Sequence, residues 1–234
     1  MIFPSLDRVK AIAPGYDIVP VYMEILSDVR TPISVLKALK QVSSHTYLLE
    51  SADNSNHWGR YSFLGYDPKI ELFCKNHQMT IKDGTTRTFE CSDPAAEIRN
   101  ILSQYKSPRL EELPTFTGGF VGYFACEYIR YIEPTLDFPT PDDDSAMVND
   151  VDLMLFDKVI AFDHYKNKIY LIANISTDDL ERNYNKAELE LKALADLVVN
   201  GKEADVPKGI LKTEFTSEFT KDEFEAVVKK TQHY

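Results

Sequence analysis

Residues 47–68 read YLLESADNSNHWGRYSFLGYDP. Apolar and aromatic residues at 47–49 and again at 61–64 flank a polar run, the pattern of two strands joined by a loop. Strand-like segments continue on both sides, at 16–26, 46–51, 61–65, 70–75, 79–82 and 87–90. Asp83-Gly84, between the last two, is a hairpin turn signal. Such closely spaced strands with short turns predict antiparallel pairing.

Helices are signalled between and beyond these strands. Residues 5–13 predict a short helix that Pro14-Gly15 stops. Thr31-Pro32 supplies a hydroxyl cap followed by proline at the first helical position, and Val35, Leu36 and Leu39 then share a face. Asp93-Pro94 opens a helix to about residue 105, with Ile98, Ile101 and Leu102 inward. Over 177–200, Leu180, Tyr184, Ala187, Leu191, Leu194 and Val198 recur at spacings of three and four, and Asn200-Gly201 suits the cap at the end. Residues 107–114 read as a loop, 117–124 as a buried strand, and the Pro- and Asp-rich 136–150 as an exposed connection. Residues 152–163 and 168–175 read as a hairpin around 164–167, its first arm apolar enough for burial on both faces. The expected fold class is α+β, mainly antiparallel β-sheet with outer helices.

Near the end, Thr220 and Glu223 match a capping box and Phe219 and Phe224 a hydrophobic staple, so a helix starts at Lys221. It runs to Tyr234 without a stop signal. A natural terminal helix and the opening helix of a second domain both fit. The linker at 201–217 favours the second, giving domains at 1–215 and 216–234.

The 234 residues carry a formal net charge of −11, with 44% hydrophobic residues. Nucleic-acid binding needs clustered Lys and Arg, which an acidic balance argues against. Cys74, Cys91 and Cys126 show no CxxC spacing, and the five histidines are dispersed. Reduced thiols in a cytoplasmic protein without a zinc site are expected. No run reaches the roughly 20 apolar residues needed to span a bilayer, and 1–10 does not read as a signal peptide.

Several groups could carry chemistry. Gly118, Gly119 and Gly122 form a G-G-x-x-G cluster, but Tyr123-Phe124-Ala125-Cys126 follows where a phosphate cradle wants lysine and a hydroxyl. Close backbone packing or a bulge is the better reading. Asp142–Asp144 lack the spaced ligands of a calcium loop and read as a solvated charge run. Asp163-His164 imitates a catalytic pair, yet no serine or cysteine nucleophile can be tied to it, and a turn explains both residues. His57-Trp58 fits a binding element, a loop tip or a core anchor equally. Glu50 and Ser51 end the strand begun by Tyr47-Leu48-Leu49. A carboxylate could pair with the ammonium of a free amino acid, and a hydroxyl could donate to its carboxylate. Adjacent strand side chains point to opposite faces, so both reach one ligand only at a strand end or bulge, or through backbone. From spacing alone, a solvated Glu50 and a turn hydroxyl at Ser51 is the simpler account.

The ordered motifs Leu48-Leu49-Glu50-Ser51, Trp58-Gly59-Arg60-Tyr61-Ser62-Phe63-Leu64-Gly65, Phe116-Thr117-Gly118-Gly119-Phe120-Val121-Gly122-Tyr123, Leu153-Met154-Leu155-Phe156-Asp157 and Phe162-Asp163-His164 together resemble anthranilate synthase component I. The resemblance covers essentially the whole chain. It implies the tryptophan-sensing, amino-terminal part of a lyase that makes anthranilate and pyruvate from chorismate. It also implies a glutamine amidotransferase partner subunit that supplies ammonia, Mg2+ on the substrate carboxylate, and feedback inhibition by L-tryptophan. By matching position, Glu50 and Ser51 become tryptophan contacts, Leu49 a wall for the indole, and Arg60 a further candidate. Cys126-Glu127 and Asn149-Asp150 depart from the family's usual residues. No catalytic residue or Mg2+ ligand is carried over, since those belong to a carboxyl-terminal part this chain lacks, and the chain alone is expected to be inactive. Aminodeoxychorismate synthase shares the architecture. A standalone amino-acid-binding module is the non-enzyme alternative.

Overall fold

A computed structural model describes residues 1–28, 30–51, 59–133, 135, 148–204 and 209–233. The expectations for His57-Trp58 and Asp142–Asp144 lie outside these. The chain divides into two compact units, Met1–Ala204 and Asp205–Tyr234.

In the first unit, α1 (Leu6–Ile12) ends before Pro14-Gly15, where Gly15 takes a φ of +87° that side chains resist. β1 (Ile18–Leu26) follows, then α2 (Pro32–Leu39). Thr31 Oγ1 accepts from the Ser34 amide and Ser34 Oγ from the Thr31 amide, both at 3.2 Å, a reciprocal cap with serine at the third position. Next come β2 (Thr46–Leu49), β3 (Tyr61–Tyr66), β4 (Ile70–Lys75), β5 (Gln78–Lys82) and β6 (Thr86–Glu90). Then α3 (Pro94–Leu102), β7 (Gly119–Phe124), α4 (Ile129–Ile132), β8 (Val151–Phe156), β9 (Lys158–Asp163), β10 (Lys168–Ser176) and α5 (Leu180–Asn200) complete the unit.

The strands build two five-stranded sheets, ordered β1-β10-β9-β3-β2 and β6-β5-β4-β8-β7. Every strand pairing in them is antiparallel. With helices packed on them, this is the expected α+β class. The first sheet is buried on both faces. On one, Tyr184, Ala187, Leu191, Leu194 and Val198 of α5 join Val9, Val35 and Leu39 against Val21, Leu64, Ile160, Phe162 and Leu171. Each of the Val, Leu, Ile and Phe side chains among them contributes about 1.5–3 kcal/mol by leaving water. Arg30 closes α5 by donating to the carbonyls of Gly201 (2.8 Å) and Val199 (3.3 Å), which have no partner within the helix. On the other face, Leu110 and Leu113 cover Tyr22, Val159, Ala161, Tyr170 and Ile172. The segment read as a plain loop thus carries core residues. The second sheet packs Ile70, Leu72, Met79, Ile81, Val151 and Leu153 against Ile98 and Ile101 of α3.

Two expectations are corrected. Residues 152–163 are not one hairpin arm: the chain leaves the second sheet after Phe156 and enters the first at Lys158. Asn174 fixes the crossing by donating both its backbone and side-chain N–H to the Asp157 carbonyl, at 2.9 and 3.0 Å. The second correction concerns 117–124. β7 is an edge strand with Tyr123 and Phe124 about half exposed, not a buried one.

The second unit holds α6 (Lys221–His233). Its start is the expected capping box, with the Thr220 amide donating to Glu223 Oε2 at 2.8 Å and the Glu223 amide to Thr220 Oγ1 at 3.4 Å.

The glycine cluster serves close backbone packing. A Cβ at Gly122 would fall 1.9 Å from the Asp152 carbonyl oxygen of neighbouring β8. Gly122→Ala is expected to cost about 2 kcal/mol, because backbone rather than a side-chain tip must move. Urea unfolding with an unchanged slope and a lowered midpoint would bear this out; an unchanged midpoint would contradict it.

Candidate amino-acid site at the end of β2

β2 is the short edge strand of the first sheet, held by four register pairs to β3 from Thr46↔Tyr66 to Leu49↔Phe63. Its anchor is Tyr47, opposite Gly65. A Cβ at Gly65 would lie 2.2 Å from Tyr47 Cε1, so glycine makes room for the ring. The ring then meets Phe156 edge-on, with centroids 4.7 Å apart. Burial pushes the Tyr47 phenol well above its ordinary pKa.

The strand stops at Leu49. Glu50 and Ser51 therefore lie past its end, where strict alternation of side chains no longer applies. This removes the geometric objection to both acting on one ligand. Leu49 is 47% exposed, and Glu50 and Ser51 are exposed as well. A carboxylate, a hydroxyl and an apolar side chain thus stand together at one strand end.

Arg60 enters from the opposite arm, just before β3. Its guanidinium grips Asp163 at the end of β9 through two bonds, Nε to Oδ1 at 3.0 Å and Nη2 to Oδ2 at 2.7 Å. Asp163 is fully buried. Its Oδ1 also accepts the Tyr165 and Lys166 amides at 3.1 Å each, closing the turn into β10. Burial alone would raise the Asp163 pKa; the Arg60 hydrogen bond and the two amides outweigh it and hold the carboxyl below its ordinary range. The same bond raises Arg60. Arg60 is first a clamp between β3 and β9, with two donors already committed.

Reading the sequence missed Ser62. It is 2% exposed, and its Oγ lies 2.7 Å from His164 Nε2 and 3.5 Å from Glu50 Oε1. A serine is therefore tied to His164, though not as the nucleophile a catalytic pair would need. It is buried where no substrate carbonyl can reach it. Asp163 spends its oxygens on Arg60 and the turn, so the turn reading of that residue stands. The only sequence sign of this cluster was the adjacency of Asp163 and His164. Among the described residues, no three His, Cys, Asp or Glu side chains converge as a metal-holding group.

A family model described as chorismate binding enzyme matches residues 45–234. The chain belongs to the chorismate binding enzyme family. The match opens just before β2, so the candidate site lies within the part of the chain that the family describes. Among similar proteins, anthranilate synthase component 1 of Acinetobacter calcoaceticus is 39% identical over 189 residues, which are 79% of this chain and 37% of that protein. Its counterpart in Acetivibrio thermocellus is 32% identical over 244 residues, 100% of this chain and 48% of the relative. Anthranilate synthase alpha subunit 2, chloroplastic, of Arabidopsis thaliana is 31% identical over 230 residues, 89% of this chain and 37% of the relative. The chain thus spans less than half the length of these relatives. The crystal structure of anthranilate synthase component I from Streptococcus pneumoniae TIGR4 aligns with 24% identity and a TM-score of 0.48, covering 89% of this chain and 44% of that one.

The clamp under the site makes a pH-dependent prediction. Asp163 titrates lower folded than unfolded, so its stabilisation is complete above about pH 4 and is lost as pH falls through its depressed folded value. Asp163→Asn is expected to cost about 2–3 kcal/mol at pH 7. Urea unfolding across pH should show that gap shrinking below about pH 4. A gap independent of pH would contradict the assignment.

Proposed function

We propose that this chain is the amino-terminal, tryptophan-sensing part of an anthranilate synthase component I. The observation that carries the reading is the end of β2, where Glu50, Ser51 and Leu49 stand together. An amino acid offers an ammonium, a carboxylate and a side chain. Glu50 accepts from the ammonium, Ser51 donates to the carboxylate, and Leu49 walls the indole. Arg60, on the opposite arm, is the weaker contact, given its commitment to Asp163. The names of the relatives support the assignment to anthranilate synthase.

In this reading residues 1–215 form the regulatory domain and 216–234 open the chorismate-binding part. The working subunit is a cytoplasmic lyase that converts chorismate and ammonia to anthranilate and pyruvate. A glutamine amidotransferase subunit supplies the ammonia. Mg2+ would supply the charge that holds the substrate carboxylate, and no residue of this chain is assigned to it. No described helix is long and apolar enough to cross a membrane. L-Tryptophan inhibits by binding more tightly to an inactive arrangement of the subunit, since a ligand shifts an equilibrium only by its difference in affinity for the two states.

The test joins the chain to the complementary half of the Acetivibrio thermocellus relative and follows anthranilate fluorescence with chorismate, ammonium and Mg2+. The chain alone is expected to make no anthranilate, and the fused subunit to make it and be inhibited by L-tryptophan. Ser51→Phe should raise the inhibitory concentration by about tenfold or more, the loss of one charge-assisted hydrogen bond. Product from the chain alone, or unaltered inhibition in Ser51→Phe, would overturn the reading.

A further inference from the structure

Ser62 has one hydroxyl hydrogen and two neighbours that could take it. If the hydrogen goes to a bare His164 Nε2, the Ser62 oxygen turns its lone pairs toward the Glu50 carboxylate. If His164 carries its proton on Nε2, the ring donates to Ser62 and the hydroxyl hydrogen points at Glu50. Only the second arrangement leaves each neighbouring pair with a donor and an acceptor. The carboxylate favours it, and hydrogen bonds in such a chain strengthen one another.

The frame around this chain of groups is rigid. Ser62 sits inside β3 opposite Phe162, and the His164 amide donates to the Arg60 carbonyl at 2.9 Å. The imidazole lies nearly parallel to the Phe162 ring, with centroids 6.4 Å apart. Asp163, next to His164 in the chain, is occupied by Arg60 and the turn amides. The other end is loose. The Ser62–Glu50 separation of 3.5 Å exceeds the usual O–H···O range of about 2.5–3.0 Å, so Glu50 retains slack to swing onto a ligand.

We propose that Ser62 and His164 are positioning residues for Glu50: His164 Nε2–H donates to Ser62 Oγ, Ser62 donates to one Glu50 oxygen, and the other oxygen is presented to the ammonium of a free α-amino acid. This rests on the amino-acid reading of the site. It adds a specificity rule, because the pair acts on the ammonium end of the ligand and not on its ring. Ligands with the same ring and carboxylate but no amine should not sense these two residues.

Two measurements test this. In the full 234-residue chain, long-range 1H–15N NMR reads the His164 tautomer. A proton on Nε2 is expected; a bare Nε2 overturns the proposal, whatever the ligand. In the fused subunit, calorimetry compares L-tryptophan with its des-amino analogue indole-3-propionate. Ser62→Ala and His164→Ala should each weaken L-tryptophan about tenfold and the analogue less than about twofold. His164→Gln, which keeps an N–H donor at similar reach, should restore most of the loss. Equal weakening of both ligands would reduce the pair to a structural role and overturn the proposal. If the unsubstituted subunit binds neither ligand, the amino-acid reading itself falls, and the tautomer still decides the hydrogen-bond chain.

Discussion

Removing a carboxylate from water costs several kcal/mol unless fixed donors replace the lost hydration. Asp163 has no exposed surface and receives four such bonds, two from Arg60 and one each from the Tyr165 and Lys166 amides. The candidate site hangs on that exchange. The Arg60 end fixes where β3 begins, and the amide end fixes the turn between β9 and β10. Ser62 then falls beside His164, and Glu50 comes within reach of Ser62 from the neighbouring strand end. Break the pair, and the loop arms either side of residues 52–58 lose their common reference point.

The candidate groups and the scaffold beneath them differ in how firmly the fold holds them. β9 and β10 are covered on both faces by apolar side chains, so their ends are held by the core. β2 lies at the sheet edge, is four residues long, and depends on Tyr47 wedged over Gly65. A ligand that draws on Glu50 and Ser51 acts on the least constrained strand of the sheet, through groups aligned by its most constrained ones. That division suits a sensor, whose contacts must respond while their frame stays put.

Much of this was legible from residue patterns. Thr31-Pro32, Asp93-Pro94 and the Thr220–Glu223 pair marked helix starts because caps are local chemistry. The spacing from Leu180 to Val198 gave the buried face of α5, because one helix face meets one core. What failed was non-local. Nothing in residues 152–163 alone says that Leu155 and Ile160 belong to different sheets; the Asn174 side chain that fixes the crossing lies 17 residues beyond Asp157. The one hint was the charged pair Asp157-Lys158 interrupting an otherwise apolar run. β7 was misread as buried because glycine and aromatic residues suit a crowded edge as well as a core. For the candidate site, the motif pointed to Glu50 and Ser51, and the structure places both just past the end of β2. The Ser62–His164 contact spans 102 residues and depends on the register between β3 and β9, which composition does not encode.

The most direct test of the central claim is a crystal structure of the fused subunit with L-tryptophan bound. The account predicts the ligand ammonium within about 2.7–3.2 Å of a Glu50 carboxylate oxygen, with the ligand carboxylate on Ser51. L-Tryptophan bound elsewhere, touching neither Glu50 nor Ser51, would contradict it.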